Sequence, residues 1–373
     1  MITIIEAKTK KQLKEFIKFP FQLYKDNPYW VPPLISDEME AFDQNKNPVF
    51  KNAEAYFYLA YCNNKIVGRI AAIINWDEVR QLGKKKTRFG WFEVIDDVEV
   101  TELLIGKVTE LGLKNHMDHI EGPMGFSNLD KVGCLTEGFD QLSTAIGWYT
   151  PPYYVTHFEK LGFKVEKKYI ESEFSFEGVA YEPIKKAADL VKKRYGFKSI
   201  NFTNTKEIEP YVDRMFELFN KTYVKLQSFV AISKDQIDYF KKKYIPFVNP
   251  EYIKFVEDIN GDIIGFAIVM PNYAYAQQAI KGKLFPFGFL KMLHAKKNNK
   301  EAVFYLIGIA PEYQSKGVTA VIFEEYHKVF TTRGITKCIR TPELEENMAI
   351  QNLWKNFNPK ITKKRCTFSR SIS

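Results

Sequence analysis

The sequence predicts an α+β protein built from two tandem units, each a mixed, mostly antiparallel sheet flanked by helices. Three observations carry this expectation. The chain has 373 residues, more than one typical domain needs and suited to two. The same order of elements, hairpin, strand, helix, strand, helix, strand, can be read twice along it. Each reading also contains a tight-turn signal, Asn63-Asn64 in the first and Asn260-Gly261 in the second, residues that accept the positive φ of a two-residue hairpin. The boundary is expected near residue 180, giving units of 1–180 and 181–373, where Glu177-Gly178 leads into an amphipathic stretch from Pro183 to Tyr195.

In the first unit, Ala55 to Tyr61 and Lys65 to Ile74 are β-rich runs around Asn63-Asn64. Arg88 to Val94 is a further strand, Val100 to Leu113 a helix and His119 to Gly125 a short strand. Tyr153 to Leu161 follows Pro151-Pro152 as a short helix, and Tyr169 to Phe176 is the closing strand. In the second unit, Phe197 to Phe202 is a strand, and Ile208 to Lys221 and Lys234 to Lys243 are helices. Tyr252 to Glu257 and Ile263 to Met270 form the hairpin, and Ala302 to Ala310 is a continuous apolar strand. Val318 to Phe330 has helical spacing, Lys337 to Arg340 is a strand, Glu343 to Phe357 a helix and Arg365 to Ile372 a final strand. An additional segment, 272–300, separates the second hairpin from the strand after it. It holds Leu284-Phe-Pro-Phe-Gly-Phe-Leu-Lys-Met-Leu-His294 beside Lys296-Lys297, and is read as packing on its own domain, as a lid over a substrate site, or as a contact with a membrane surface.

Composition narrows the function classes. Hydrophobic residues make up 45% of the chain and aromatics 15%, enough apolar area to offset the entropy of ordering it. The net charge of +9 is partly concentrated: residues 271–300 hold six lysines and residues 347–373 six Lys or Arg, neither stretch with an acid. Such patches suit a phosphate-bearing ligand, nucleic acid or anionic lipid, although solvated lysine faces are commoner. Cys62, Cys134, Cys338 and Cys366 lie far apart with no C-x-x-C pair, which fits a reducing cytoplasm. The first residues lack the pattern of a signal peptide, and no window approaches 18 uncharged apolar residues, so a soluble cytoplasmic protein is expected. His116 and His119 flank Asp118 without a third ligand nearby, and no metal is expected.

The most informative stretch is Ile307-Gly-Ile-Ala-Pro-Glu-Tyr-Gln-Ser-Lys-Gly-Val-Thr319, where a strand passes through a short basic turn into a helix. The first N–H groups of a helix lack partners and its dipole favours negative charge there, so the turn reads as a pyrophosphate cradle. Gly317 is read as letting a ligand approach the backbone. The spacing Gln314-x-x-Gly317-x-Thr319 resembles the acetyl-CoA-binding motif of the GNAT acyltransferases, Gln/Arg-x-x-Gly-x-Gly/Ala, with Thr319 in place of the small last residue. Asn347-Met-Ala-Ile-Gln-Asn-Leu-Trp354 is similar to that family's later helix, Asn-x-x-Ala-x-x-Leu-Tyr, and Tyr153 to Phe163 to its counterpart in the first unit.

This resemblance implies two tandem GNAT-like domains, of which the second binds acetyl-CoA or another acyl-CoA as co-substrate. The implied binding residues are Ile307, Ile309, Gln314, Ser315, Lys316, Gly317, Val318, Thr319 and Asn347, the last through the pantetheine arm. It further implies a V-shaped cleft beside the strand before the motif, with a backbone N–H polarising the thioester. The family's usual acid, a Tyr, is Trp354 here, which leaves Tyr305 and Tyr313 as substitutes, each also readable as an ordinary core or surface tyrosine. The first unit resembles a degenerate copy. Its glycine-dense loop, Glu121 to Phe139, is read either as a simple turn of the chain or as lining an acceptor pocket through Asn128, Asp130 and Glu137. The implied activity is N-acylation of a small amine or amino-acid-like acceptor. A non-catalytic binding or sensing protein of the same fold, and an aminoacyl-tRNA-dependent transferase, are the alternatives.

Overall fold

The structure is a computed structural model that describes residues 1–127, 129–224 and 229–372. The first half contains β1 (Ile2–Glu6), α1 (Lys10–Leu23), α2 (Ile35–Ala41), β2 (Ala53–Cys62), β3 (Lys65–Asn75) and α3 (Trp76–Leu82). It continues through β4 (Lys86–Val94), α4 (Val98–Lys114), β5 (His119–Gly122), β6 (Cys134–Glu137), α5 (Tyr153–Lys160) and β7 (Lys164–Ser175). The second half begins with α6 (Tyr181–Tyr195), β8 (Lys198–Ile200), α7 (Glu209–Tyr223), α8 (Lys234–Tyr244), β9 (Ile253–Glu257) and β10 (Ile263–Pro271). After α9 (Ala274–Ile280) and α10 (Gly288–Lys297) come β11 (Glu301–Ile309), α11 (Val318–Arg333), β12 (Lys337–Leu344), α12 (Met348–Trp354) and β13 (Lys360–Ser371).

Local chemistry explains the better-defined boundaries. Asn63 and Asn64 have φ of 48° and 60°, as the β2–β3 hairpin requires, and Gly261 has φ of 82° between β9 and β10. Thr9 and Gln12 form a capping box at the start of α1, as do Ser233 and Gln236 at α8. Several expected elements differ in their bounds. The helix predicted from Glu343 begins only at Met348, because Glu343 and Leu344 still pair with β7 as part of β12 and Asn347 supplies the helix cap. The final strand starts earlier, at Lys360, β7 starts at Lys164 and β5 ends at Gly122, and β1, α1, α2, α3, β6, α9 and α10 were not anticipated.

Among the described residues the strands form one 13-stranded sheet in the order β1-β2-β3-β4-β5-β13-β7-β12-β11-β10-β9-β8, with β6 attached to β13. The last strand of each half thus lies between the halves. β13 pairs with β5 and β6 of the first half, and β7 pairs with β12 of the second, while β7 and β13 pair with each other over their length. In the first half α4 and α5 cover one face of the sheet and α1 and α2 the other; in the second, α6 and α11 cover one face and α7 and α8 the other.

At the seam, Arg365 of β13 is fully buried and its Nε donates to Glu171 of β7. Arg365 also donates to the Trp148 carbonyl at 2.6 Å, and Lys363 sits 3.2 Å from the other Glu171 oxygen. Burial opposes ionisation of Glu171, but the Arg365 and Lys363 charges outweigh it and hold its carboxyl below the usual range. Glu171→Gln therefore leaves two buried cations underpaired. We expect it to cost about 3–5 kcal/mol at neutral pH by chemical denaturation. A carboxylate depressed in the folded state stabilises above its unfolded pKa and loses that contribution as pH falls. The gap between wild type and variant should accordingly narrow below about pH 4.

Candidate functional site

The two halves share a local distortion that an ideal sheet would lack. β11 and β12 are parallel partners only from Glu301↔Lys337 to Phe304↔Arg340, although both strands continue. The break coincides with a bulge: Ile268 and Val269 of β10 face Leu306 and Phe304, leaving Tyr305 as the extra residue. β12 keeps its pairing with β7 through Glu343↔Ile170 and Leu344↔Tyr169, so it moves away from β11 and a wedge opens between them. Tyr305, Leu306 and Ile307 are half-exposed in a strand otherwise buried along most of its length.

Main-chain groups face this wedge. The Ile307 carbonyl accepts from the Tyr223 hydroxyl at 3.0 Å and the Ile309 carbonyl from Gln314 Nε2 at 3.3 Å, so both point away from β10. Because N–H and C=O of one strand residue point to the same side, the Ile307 and Ile309 N–H groups face the wedge too. β11 then leads through a 3₁₀ turn, Pro311–Tyr313, to α11, whose N-cap is Gly317. No side chain caps α11, and Val318 is buried beneath the turn while Ser315 is exposed and Thr319 half-buried in its first turn. Lys316 places its Nζ 4.4 Å from the centre of the Tyr313 ring.

Gly317 has φ of 75°, and a Cβ there would approach Val191 of α6 to 2.7 Å. Its requirement therefore includes the left-handed backbone and the helix beneath. Gly317→Ala should destabilise the protein by about 1–3 kcal/mol. Gly106→Ala, in α4 where a Cβ meets nothing within 4 Å, should be neutral or stabilise by up to about 1 kcal/mol in the same denaturation assay.

The two tyrosines differ in placement. Tyr305 is at the bulge and donates to the Leu129 carbonyl at 3.1 Å, joining the glycine-dense loop of the first half to β11. Tyr313 is outside the wedge, with its hydroxyl 2.9 Å from Asp258 at the β9–β10 turn. Asn347 caps α12 by accepting from the Ile350 N–H at 3.4 Å. Asp130 accepts from the Ser127 N–H at 2.8 Å, and burial raises its carboxyl. Glu137 is exposed at the end of β6 and pairs with Lys364 at 2.8 Å. Asn128 lies outside the described residues.

Glu343 was missed, having been assigned to a helix. It extends from β12 just past the last β11–β12 pair, where it accepts from Arg340 and, at 3.0 Å, from the Trp354 indole N–H. Burial raises its carboxyl above the ordinary range despite both donors. Burial and then the Glu343 charge raise the Tyr223 phenol. Trp354 itself is fully buried against Phe304, Phe323 and Phe357. The capping residue Asn347, which places the helix start after Glu343, was the available signal; Tyr223, on a helix remote in sequence, offered none.

The first half repeats the distortion and closes it. β4 and β5 pair only from Lys86↔His119 to Arg88↔Glu121, and β4 carries Trp91 at φ of 43°. There the Met124 N–H donates to the Phe89 carbonyl at 2.8 Å, and a Cβ on Gly90 would meet the Met124 oxygen at 2.2 Å. The chain fills its own wedge. Beneath it Lys86 bridges Glu78 and Glu121 at 2.8 and 2.6 Å, and Arg88 reaches Glu78 at 2.9 Å. Among the described residues no group of three or more His, Cys, Asp or Glu could hold a metal ion.

These features define a tandem GNAT fold. The chain aligns over its full length with the tandem GNAT protein from the clavulanic acid biosynthesis pathway, covering 99% of it at a TM-score of 0.59 and 10% identity. The GCN5-related N-acetyltransferase from Sphaerobacter thermophilus gives a TM-score of 0.54 at 9% identity, with 100% and 96% of the two chains covered. In sequence, the chain is 28% identical to protein YghO of Escherichia coli (strain K12) over 371 residues, 97% of this chain and 94% of that protein. It is 26% identical over 320 residues to the bacterial ceramide synthase of Caulobacter vibrioides (strain NA1000 / CB15N), covering 84% and 82%. No family model matches the sequence.

Proposed function

We propose that the protein is an acyl-CoA-dependent N-acyltransferase whose acceptor is an amine with a long apolar chain. The observation that carries the reading is the wedge beside Tyr305–Ile307, with main-chain polar groups facing it, leading directly to the uncapped N-terminus of α11. A pantetheine arm fits beside Ile307 and Ile309, and a pyrophosphate fits the turn from Gln314 to Thr319, next to Lys316. The similarity to a protein named a bacterial ceramide synthase supports the acceptor class, because a ceramide is the amide of a long-chain amino alcohol.

In this reading the amine attacks the thioester carbonyl and the Ile307 N–H stabilises the oxyanion. Glu343 takes the amine proton as the C–N bond forms. The C–S bond then breaks with its electron pair kept on sulfur, which leaves readily because a thiol has a pKa of about 8.5. Arg340 and Trp354 hold the Glu343 carboxylate in place, so the indole serves the acid–base group and is not itself one. Tyr223 and Tyr305 line the wedge, and the loop carrying Asp130 forms its first-half wall.

Saturating acyl-CoA, at about 100 times its Kd, should raise the unfolding free energy by about 2.7 kcal/mol. Ser315→Glu, which adds a carboxylate at the exposed turn, should abolish that shift; an unchanged shift would remove the turn from the binding site. Mass spectrometry should detect the amide when the protein is given a long-chain acyl-CoA and a C18 amino alcohol. Glu343→Gln should lower kcat about 10²–10⁴-fold with little change in KM for acyl-CoA. Wild-type kcat/KM should rise as pH passes through the raised carboxyl pKa, a limb the variant should lack. Absence of amide with all acyl-CoA chain lengths would overturn the proposal.

A further inference from the structure

The segment 272–300 is firmly seated on its inner side. Met292 and Ile280 pack with Leu34 and Tyr273 in a small core, and the Gly282 carbonyl accepts from the Ile35 N–H at 3.0 Å. Gln278 Nε2 donates to the Pro28 and Trp30 carbonyls at 2.8 and 2.9 Å, and Lys296 Nζ donates to the Pro246 carbonyl at 2.7 Å. A Cβ on Gly282 would meet the Pro33 oxygen at 2.5 Å, so the turn fits closely against the first half.

Its outer side is different in kind. Phe285 and Phe287 are 78% and 73% exposed, and Leu290 and Leu293 of α10 are exposed beside them. Phe289 continues this face, its ring 6.1 Å from that of Phe285. Lys281, Lys283, Lys291 and Lys297 are exposed in the same segment, and residues 271–300 contain no acid. A contiguous apolar patch on a well-anchored element marks an interaction surface.

We propose that this face docks the protein on an anionic phospholipid surface, with the phenyl rings and leucines entering the headgroup boundary and the lysines meeting the lipid phosphates. Charge decides between occupants. A second copy would set lysine against lysine across a two-fold contact, with no carboxylate in the segment to answer it. A bilayer leaflet supplies both an apolar layer and a negative surface, which an amphipathic helix with basic flanks uses together. Among the described residues no helix is long and apolar enough to cross a membrane, so docking in the interfacial plane is the available geometry. The inference stands on the segment alone and does not require the acyltransferase reading, although long-chain substrates would reside at the same surface.

Co-sedimentation of the full chain with phosphatidylcholine vesicles, with and without phosphatidylglycerol, tests the proposal without substrate. Wild type should bind the anionic vesicles, weaken in high salt, and bind several-fold less to neutral ones. Phe285→Ser with Phe287→Ser should reduce binding by about tenfold or more, since each ring loses its apolar transfer free energy. The thermal unfolding curve should be unchanged, because both rings are solvent-exposed. Lys281→Glu with Lys283→Glu should reduce binding to anionic vesicles selectively. No binding to either vesicle, or undiminished binding by the phenylalanine variant, would overturn the proposal. So would a wild-type dimer in light scattering that the phenylalanine variant dissolves while neither protein binds vesicles; that result would assign the face to a second copy.

Discussion

Arg365 lies fully buried where the two halves of the sheet meet, and the arrangement of the molecule depends on the charge it carries. A guanidinium withdrawn from water has to be paired, and Glu171 supplies the pair from the strand that ends the other half. That contact locks β13 against β7, and those two strands in turn bond to the sheets of the opposite halves. The halves are thereby joined by backbone ladders as well as side-chain packing. One consequence is the fixed reach of the glycine-dense loop across the seam, where the Leu129 carbonyl meets the Tyr305 hydroxyl at the β11 bulge.

With the halves held so, the structural difference between their wedges lies in what occupies each. Both interrupt a parallel strand pair after three or four residues, and both carry an irregular residue at the break. In the first, the Met124 main chain fills the gap and the buried Lys86, Arg88, Glu78 and Glu121 network backs it. Burial opposes the Glu78 charge, yet Arg88 and Lys86 hold its pKa down at about 2, so this network stays ionised. In the second, the end of β12 stays with β7, and the side chains of Tyr223 and Gln314 meet the Ile307 and Ile309 carbonyls. A side chain can rotate away when a ligand arrives, whereas a backbone segment tied to its strand cannot without local unfolding.

Much of this order was legible in the sequence where the determinants are local. Asn63-Asn64 and Asn260-Gly261 announced their hairpins, and the apolar strand, basic turn and Val318 helix were placed with their boundaries nearly right. The exchange of β7 and β13 was not legible, because nothing in a strand's own residues states which distant strand it will join. The burial of charges such as Lys86 and Arg365 was not legible for the same reason, because only their partners permit it. The helix expected from Glu343 was a misreading of local information, since Asn347 was the better capping residue.

That misreading hid the residue to which the proposed mechanism assigns the proton transfer. Trp354 at a position where GNAT sequences commonly carry Tyr looks like the loss of an acid. Its indole is sealed in an aromatic core and aims its N–H at Glu343. An N–H donor and the Arg340 charge stabilise the ionised carboxylate, while burial favours the neutral acid, and burial prevails. A carboxylate balanced in this way is more basic than an exposed one yet still orientable, which suits the removal of a proton from an attacking amine. On the proposed reading the substitution exchanges a phenolic acid on the helix for a positioned base on the strand. A tyrosine at 354 would offer its hydroxyl from a different place on the ring and leave the Glu343 oxygen without its 3.0 Å donor.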